Sequence, residues 1–180
     1  LISIARTVLG TLVFLLVTGL SAYAMSKSKL PGRKLFFIFY LIPMYISGGL
    51  LPYYVLLAKT GFTNNFLVYI LPPAFSGFFM LIMKAYFEGI PAEISESAFV
   101  DGAGELIIFF RLILPLSAPI FATAALFNIV SQWNSWFDAM LFVTNSKLHP
   151  LQFLLQMVLM ESQMTEFRQV AEMFYKMKTG

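Results

Sequence analysis

Two stretches of this sequence carry groups with chemistry in them. The first is acidic, Glu88-Gly89-Ile90-Pro91-Ala92-Glu93-Ile94-Ser95-Glu96-Ser97-Ala98-Phe99-Val100-Asp101-Gly102-Ala103-Gly104-Glu105. A calcium loop needs oxygen ligands at alternating positions, and Asp101 to Glu105 lacks them. A phosphate cradle at Gly102-Ala103-Gly104 would need a strand before it and a lysine after it, and has neither. The second stretch is Ser131-Gln132-Trp133-Asn134-Ser135-Trp136-Phe137-Asp138. Indole faces stack on sugar rings, and amide and carboxylate groups bond hydroxyls, so Trp133, Asn134 and Trp136 are candidates for a carbohydrate path. The same residues also suit an aromatic belt at a membrane interface, with Asp138 at the water boundary. Other chemistry is short of material: there is no cysteine, and His149, beside Pro150, is the only histidine. That leaves no disulfide scaffold, no thiolate metal site and no basis for a histidine metal centre or triad.

The acidic stretch must be held on a defined element. Pro91 suits a first helical turn, Glu93 lies near the positive helix N-terminus, and Gly102 and Gly104 stop the helix. The expectation is a short helix of about three turns. Ile90, Ile94 and Ala98 form its apolar stripe, with Glu93, Glu96 and Ser97 off it. A short acidic amphipathic helix of this kind is shaped to dock in a groove of a partner.

The chain around it is strongly apolar. Of 180 residues 59% are hydrophobic and 12% charged, against about 25% charged in an ordinary soluble domain. Mean hydropathy is +0.79. This excludes a soluble enzyme and a disordered segment. Charge-free runs occupy 7–26, 35–58, 60–83 and 112–137, each long enough for the roughly 20 residues that cross a hydrocarbon core. The expectation is an all-α polytopic bundle with spans at about 5–26, 35–51, 64–85 and 112–142. The first run lacks the basic segment and cleavage site of a signal peptide. Pro43, Gly48, Gly49, Pro52, Pro72, Pro73, Pro115 and Pro119 mark the spans as irregular, as in a cavity-lining bundle rather than plain anchors.

Of the 21 charged residues, 17 fall in three clusters, at 27–34, 84–111 and 161–178. Lys27, Lys29, Arg33 and Lys34 crowd one short turn, which the positive-inside rule makes cytoplasmic, together with the 88–111 connection. The net charge of +3 thus punctuates spans, and a nucleic-acid surface is not expected. Leu151, Leu154, Leu155, Val158 and Leu159 form a stripe opposite Gln152, Gln156 and Gln163. Residues 148–160 are too short to span, and 149–180 reads as an extracytoplasmic interfacial segment. Met164, Phe167, Ala171 and Phe174 continue at helical spacing, a surface that suits either the chain's own spans or a partner protein.

One pattern is more specific. Glu96-Ser97-Ala98, three residues, Gly102, nine residues, then Leu112-Ile113-Leu114-Pro115 resembles the EAA loop of the permease subunits of binding-protein-dependent ABC importers. Ile90-Pro91, Val100-Asp101-Gly102-Ala103 and Pro115-Leu116-Ser117-Ala118-Pro119 look like the carbohydrate-uptake branch. So do Ala22-Tyr23-Ala24, Gly48-Gly49-Leu50-Leu51-Pro52-Tyr53 and Trp133-Asn134-Ser135-Trp136-Phe137, so the resemblance covers most of 1–160. Ser97 stands where the family usually has Ala, and Leu112 where it usually has Ile. The resemblance implies a type I importer permease fold of six spans, with the first and last beyond this sequence. It implies an ATP-binding cassette subunit docked on Glu96, Ser97, Ala98, Asp101, Gly102 and Ala103, with Leu114 and Pro115 completing the coupling motif. It further implies a second permease subunit, the same or different, an extracellular solute-binding protein, surrounding lipid, and no cofactor of its own. No G-x-x-x-x-G-K-[ST] loop is present, so ATP chemistry would lie on the partner. A permease for amino acids or another solute is the nearer alternative. A membrane-embedded enzyme would need an intramembrane acid, base or metal set, and no span carries a charge in its middle; a channel or scaffold would not need an acidic docking helix.

Overall fold

The computed structural model describes residues 1–28, 30–46 and 48–179, with side chains described through Arg168, so Lys29 and the side chains of Ala171 and Phe174 lie outside the described residues. Among the described residues the secondary structure is all helical. Among the described residues, helix α1 (Ile2–Ser26) is the one continuous helix with the length and hydropathy to cross a membrane. Its 25 residues reach about 37 Å at 1.5 Å per residue.

The other three apolar runs fold in pieces rather than as plain spans, and proline and glycine sit at the breaks. The second contains α2 (Arg33–Tyr45) and α3 (Leu50–Lys59). Pro43 cannot donate to the turn before it, α2 stops two residues later, and Gly49 takes a φ of 83° at the entry to α3. Such a φ is easy only for glycine. The third run begins as two 3-10 turns, Phe66–Tyr69 and Pro72–Ala74, then bends by 47° into α4 (Gly77–Glu88). Pro72 and Pro73 supply no donors there, which keeps a regular α-helix from forming through them.

After α4 comes the short α5 (Ala92–Val100). The chain returns through α6 (Glu105–Ile108), a π turn at Phe109–Ile113 and α7 (Leu114–Leu116), then meets α8 (Ala118–Asn134) at 83°. Pro115 and Pro119 account for both irregularities. Each removes the donor that would reach four residues back, and a widened turn or corner takes up the freed carbonyl. Helix α9 (Phe137–Phe142) and α10 (Leu151–Thr179) complete the chain.

Helix α1 packs against both α4 and α8. Its buried face runs Ser3, Thr7, Thr11, Phe14, Thr18, Ala22, a spacing of three and four that presents small and polar groups for close helix approach. Phe14, Tyr23, Met80, Met83, Phe87, Phe109 and Phe121 form the main core around it. Thr18 repairs the break in the third run. Fully buried, its hydroxyl donates to the Ala74 carbonyl at 3.5 Å and accepts from the Ser76 N–H at 3.3 Å. A second core joins Leu57, Val68, Tyr69, Ala139, Phe142 and Val143 at the opposite end from the 27–34 turn.

Residues 151–160 are not a separate short segment, since α10 starts at Leu151 and runs unbroken past them. Nor does the leucine stripe pack on the spans. Leu151, Leu154, Leu155, Val158 and Leu159 are exposed, while Gln152, Phe153 and Gln156 are half-buried. Phe153 is the anchor, touching the second core and the His149 ring at 4.6 Å.

Gly19 gives a test of the α1 packing. A Cβ there would lie 2.8 Å from the Phe121 ring, which is itself clasped by Phe87 and Phe109. Gly19→Leu should destabilise the protein by about 1–3 kcal/mol through overpacking, read as a lowered unfolding midpoint in detergent. An unchanged midpoint would show that α1 does not pack here.

Candidate functional site

The acidic helix forms as α5, and its C-terminus explains the spacing of the motif. Val100 is its last residue, Asp101 the cap, and Gly102 follows with a φ of 81°. The Ala103 N–H donates to the Ala98 carbonyl at 2.9 Å, and the Gly102 N–H to the Phe99 carbonyl at 3.0 Å. Those two bonds are a Schellman ending, which requires a left-handed residue four positions after the carbonyl that is capped. Ala98 and Gly102 stand at that separation. No atom lies within 4 Å of where a Gly102 Cβ would be, so glycine is needed for its backbone conformation and not for room.

The two faces of α5 divide as their residues suggest. Ile90, Ala98 and Ala103 pack against the main core, and Ile94 is half-buried. Glu93, Glu96, Ser97 and Val100 are exposed. Val100, at 88% exposure, is an apolar side chain presented outward beside carboxylates; it belongs to the Val100-Asp101-Gly102-Ala103 stretch but was not among the docking residues expected from the sequence. Pro91 takes the cap position rather than the first helical residue. Leu114 and Pro115 lie apart from this face, in the following span beside the π turn; Leu114 packs on the main core and Pro115 is exposed.

The basic turn and the acidic connection meet at one end of the molecule. Arg33 is paired with Glu88 and also donates to the Met25 carbonyl at 2.9 Å, while Lys84 pairs with Glu88 at 2.8 Å. Glu88 lies beyond the apolar run 60–83, and its bonds from Lys84 and then Arg33 hold its carboxyl below the usual carboxylate range.

At the other end the second candidate group is arranged differently from the helical spacing expected for it. Helix α8 stops at Asn134, and Ser135 and Trp136 form a break before α9. Trp133 and Trp136 therefore do not share a helix face. Trp133 and Asn134 are exposed on the last turn of α8, and Trp136 is half-buried against Phe137 at 5.9 Å.

What organises this break is Arg6, which the sequence marked only as the boundary of an apolar run. Its side chain is 1% exposed. Nη2 donates to Asp138 Oδ2 at 2.6 Å and to Gln132 Oε1 at 3.1 Å, and Nη1 donates to the Ser135 carbonyl at 3.0 Å. The guanidinium also lies 4.4 Å from the centre of the Tyr69 ring. It thus neutralises Asp138 and caps the negative C-terminal end of α8 at once. Gln132 completes the set by donating to the Tyr69 carbonyl at 3.2 Å. Gly10 makes room for it, because a Cβ there would sit 2.6 Å from Gln132 Nε2. The readable signal was a lone charge among small and polar residues on the face of a span, which marks a buried partner by default.

The charges of Arg6 and Asp138 should be strongly interdependent. Arg6→Met should destabilise the protein by about 3–5 kcal/mol, as expected when one member of a buried pair is removed. Arg6→Met with Asp138→Leu should cost much less than the sum of the single changes. A double-mutant cycle on unfolding in detergent measures this, and additivity would refute it.

The arrangement matches known proteins closely. Residues 15–169 match the family described as binding-protein-dependent transport system inner membrane component. The chain is 36% identical over 162 residues to the polygalacturonan/rhamnogalacturonan transport system permease protein YtcP of Bacillus subtilis, covering 90% of this chain and 57% of that protein. It is 39% identical over 164 residues to protein LplC of the same organism, covering 91% and 56%. Among solved structures, a bacterial ABC transporter involved in import of the acidic polysaccharide alginate superposes with a TM-score of 0.82 at 33% identity, covering 86% of this chain and 55% of that one. The chain thus spans just over half the length of the relatives it matches. The helix order, the glycine-ended acidic helix and these matches agree: the chain belongs to the binding-protein-dependent transport system inner membrane component family, with the fold of a type I ABC importer permease.

Proposed function

We propose that this chain is part of the membrane-spanning subunit of an ATP-driven importer that moves a sugar or oligosaccharide delivered by an extracellular binding protein. ATP hydrolysis then lies on a separate ATP-binding cassette subunit, and a second permease subunit completes the pathway. The observation that carries this reading is the exposed face of α5, where Val100 and the carboxylates Glu93 and Glu96 stand outward while the opposite face is fastened to the core. A helix so held delivers a push on its outer face to the spans instead of absorbing it. Glu96, Ser97 and Ala98 form the docking helix, with Asp101, Gly102 and Ala103 its fixed ending and Leu114 and Pro115 the start of the responding span. The saccharide class follows from the transport named for the relatives above.

In the same reading, residues 1–148 form the permease domain with the 27–34 turn and the 88–111 connection on the cytoplasmic side. Their meeting through Arg33 and Glu88 supports a common side. Residues 149–180 then lie at the outer face. Trp133, Asn134 and Trp136, near the Arg6 and Asp138 pair, remain the candidate substrate path.

Two outcomes follow. In the assembled transporter Gly102→Val should insert and assemble but lose most binding-protein-stimulated ATPase, whereas Gly102→Asn should keep much of it, since asparagine tolerates a left-handed backbone. Equal loss in both would show that the conformation is not what matters. Trp133→Ala, Asn134→Ala and Trp136→Ala should weaken uptake in a panel of labelled oligosaccharides. Unchanged affinity in all three would remove them from the path.

A further inference from the structure

Helix α5 has open space on one side. A cavity of about 1190 Å³ lies between it and the end of α1, lined among others by Leu20, Lys27, Glu96, Phe99 and Leu106. Apolar packing of Ile90, Ala98 and Ala103 holds α5 from the core side, and across the gap a small polar cluster spans the distance to α1. Glu105, the first residue of α6, accepts a bond from the Tyr23 hydroxyl at 2.6 Å. Lys27 lies 3.6 Å from the same carboxylate oxygen. Its ammonium is also 4.5 Å from the centre of the Tyr23 ring and 5.8 Å from that of Phe99, on α5.

The connection continues inward. The Tyr23 ring contacts Phe109, in the π turn, at 5.2 Å and Phe87, in α4, at 6.4 Å. Both of those rings contact Phe121 of α8, at 6.3 and 6.1 Å. Close packing transmits displacement with little compression, so this chain of rings links Tyr23 to α4, the π turn and α8. A phenol bonded to a carboxylate is the strong, directional kind of hydrogen bond. Tyr23 is buried up to its hydroxyl, so the ring is committed to the core and the hydroxyl to the loop.

We propose that Tyr23, Lys27 and Glu105 are positioning residues that join the coupling helix to α1, so that the two move as one body when the ATP-binding subunit closes. This rests on the coupling role given to α5 above. The core packing fixes where α5 sits; the Tyr23, Lys27 and Glu105 joint fixes that α1 follows it. The joint works without any part of it touching nucleotide or solute.

The test uses the full-length permease assembled with its partner permease and ATP-binding subunit. These 180 residues contain no cysteine, so spin labels at Ala92→Cys on α5 and Leu16→Cys on the exposed side of α1 meet no competing thiol here. The distance between them should stay single and unchanged between the nucleotide-free state and the state trapped with ATP and vanadate. Tyr23→Phe, which keeps the ring, should shift and broaden that distance in the trapped state only, and Lys27→Met should do the same should Tyr23→Phe fail to assemble. Glu105→Gln, which still accepts from Tyr23 and leaves the Lys27 ammonium over the Tyr23 and Phe99 rings, should keep most of the unshifted population. An unchanged distance in both Tyr23→Phe and Lys27→Met would overturn the joint. A distinct result bears on the reading beneath it: if the Ala92→Cys label shows no change in mobility when the ATP-binding subunit binds, α5 is not the docking helix, whatever the joint does.

Discussion

Backbone groups left open where helices break have no water to bond in a hydrocarbon layer, and much of this structure is arranged around meeting that demand. Three of the four apolar runs are broken, and in two of them the breaks lie against one continuous helix. Helix α1 supplies Thr18 to the Ala74 and Ser76 backbone and Arg6 to the Ser135 carbonyl. Its glycines and threonines permit the approach that makes those bonds reachable. The irregular spans are tolerated because their freed groups are buried in protein. An unbroken, polar-faced α1 and broken, proline-bearing neighbours are two halves of one solution.

The same economy applies to the two ends of the molecule. At one end a buried cation satisfies a carboxylate, an amide, a helix terminus and an aromatic face together. At the other, smaller and more exposed pairs tie the 27–34 turn to the acidic connection. Exposed pairs of this kind contribute little stability each. Their value is in where they hold the segments flanking α5, whose own backbone ending is fixed by Gly102. The departures from the family pattern fit this picture. Ser97 is on the exposed face and bonds back to the Ile94 carbonyl within its own turn, so alanine's place there is taken at little cost. Leu112 is half-buried against the core, where a residue of isoleucine's volume fills the same space.

The short helix, its apolar stripe and the glycine that ends it were legible because they depend on neighbours one to six residues away. The interruption of the expected 112–142 span between Asn134 and Phe137 was not legible because nothing local announces the break at Ser135; the residue that stabilises it, Arg6, lies more than 120 positions earlier. The leucine stripe of α10 was readable as a stripe. Which side of that helix would meet the spans depended on the path of the chain through His149 and Pro150, which turns Phe153 inward instead.

By itself, then, the sequence determined the class of the fold, the segregation of charge to the ends of the spans, and the short acidic helix with its left-handed stop. These follow from composition, from period and from backbone conformations open to single residue types. Only the tertiary structure decided that the spans are broken and repaired from α1, that Arg6 and Asp138 form one buried group, and that Tyr23 meets Glu105. Each of those is a contact between side chains far apart in the chain, and a pattern of residue types carries no distance between them until the helices are packed.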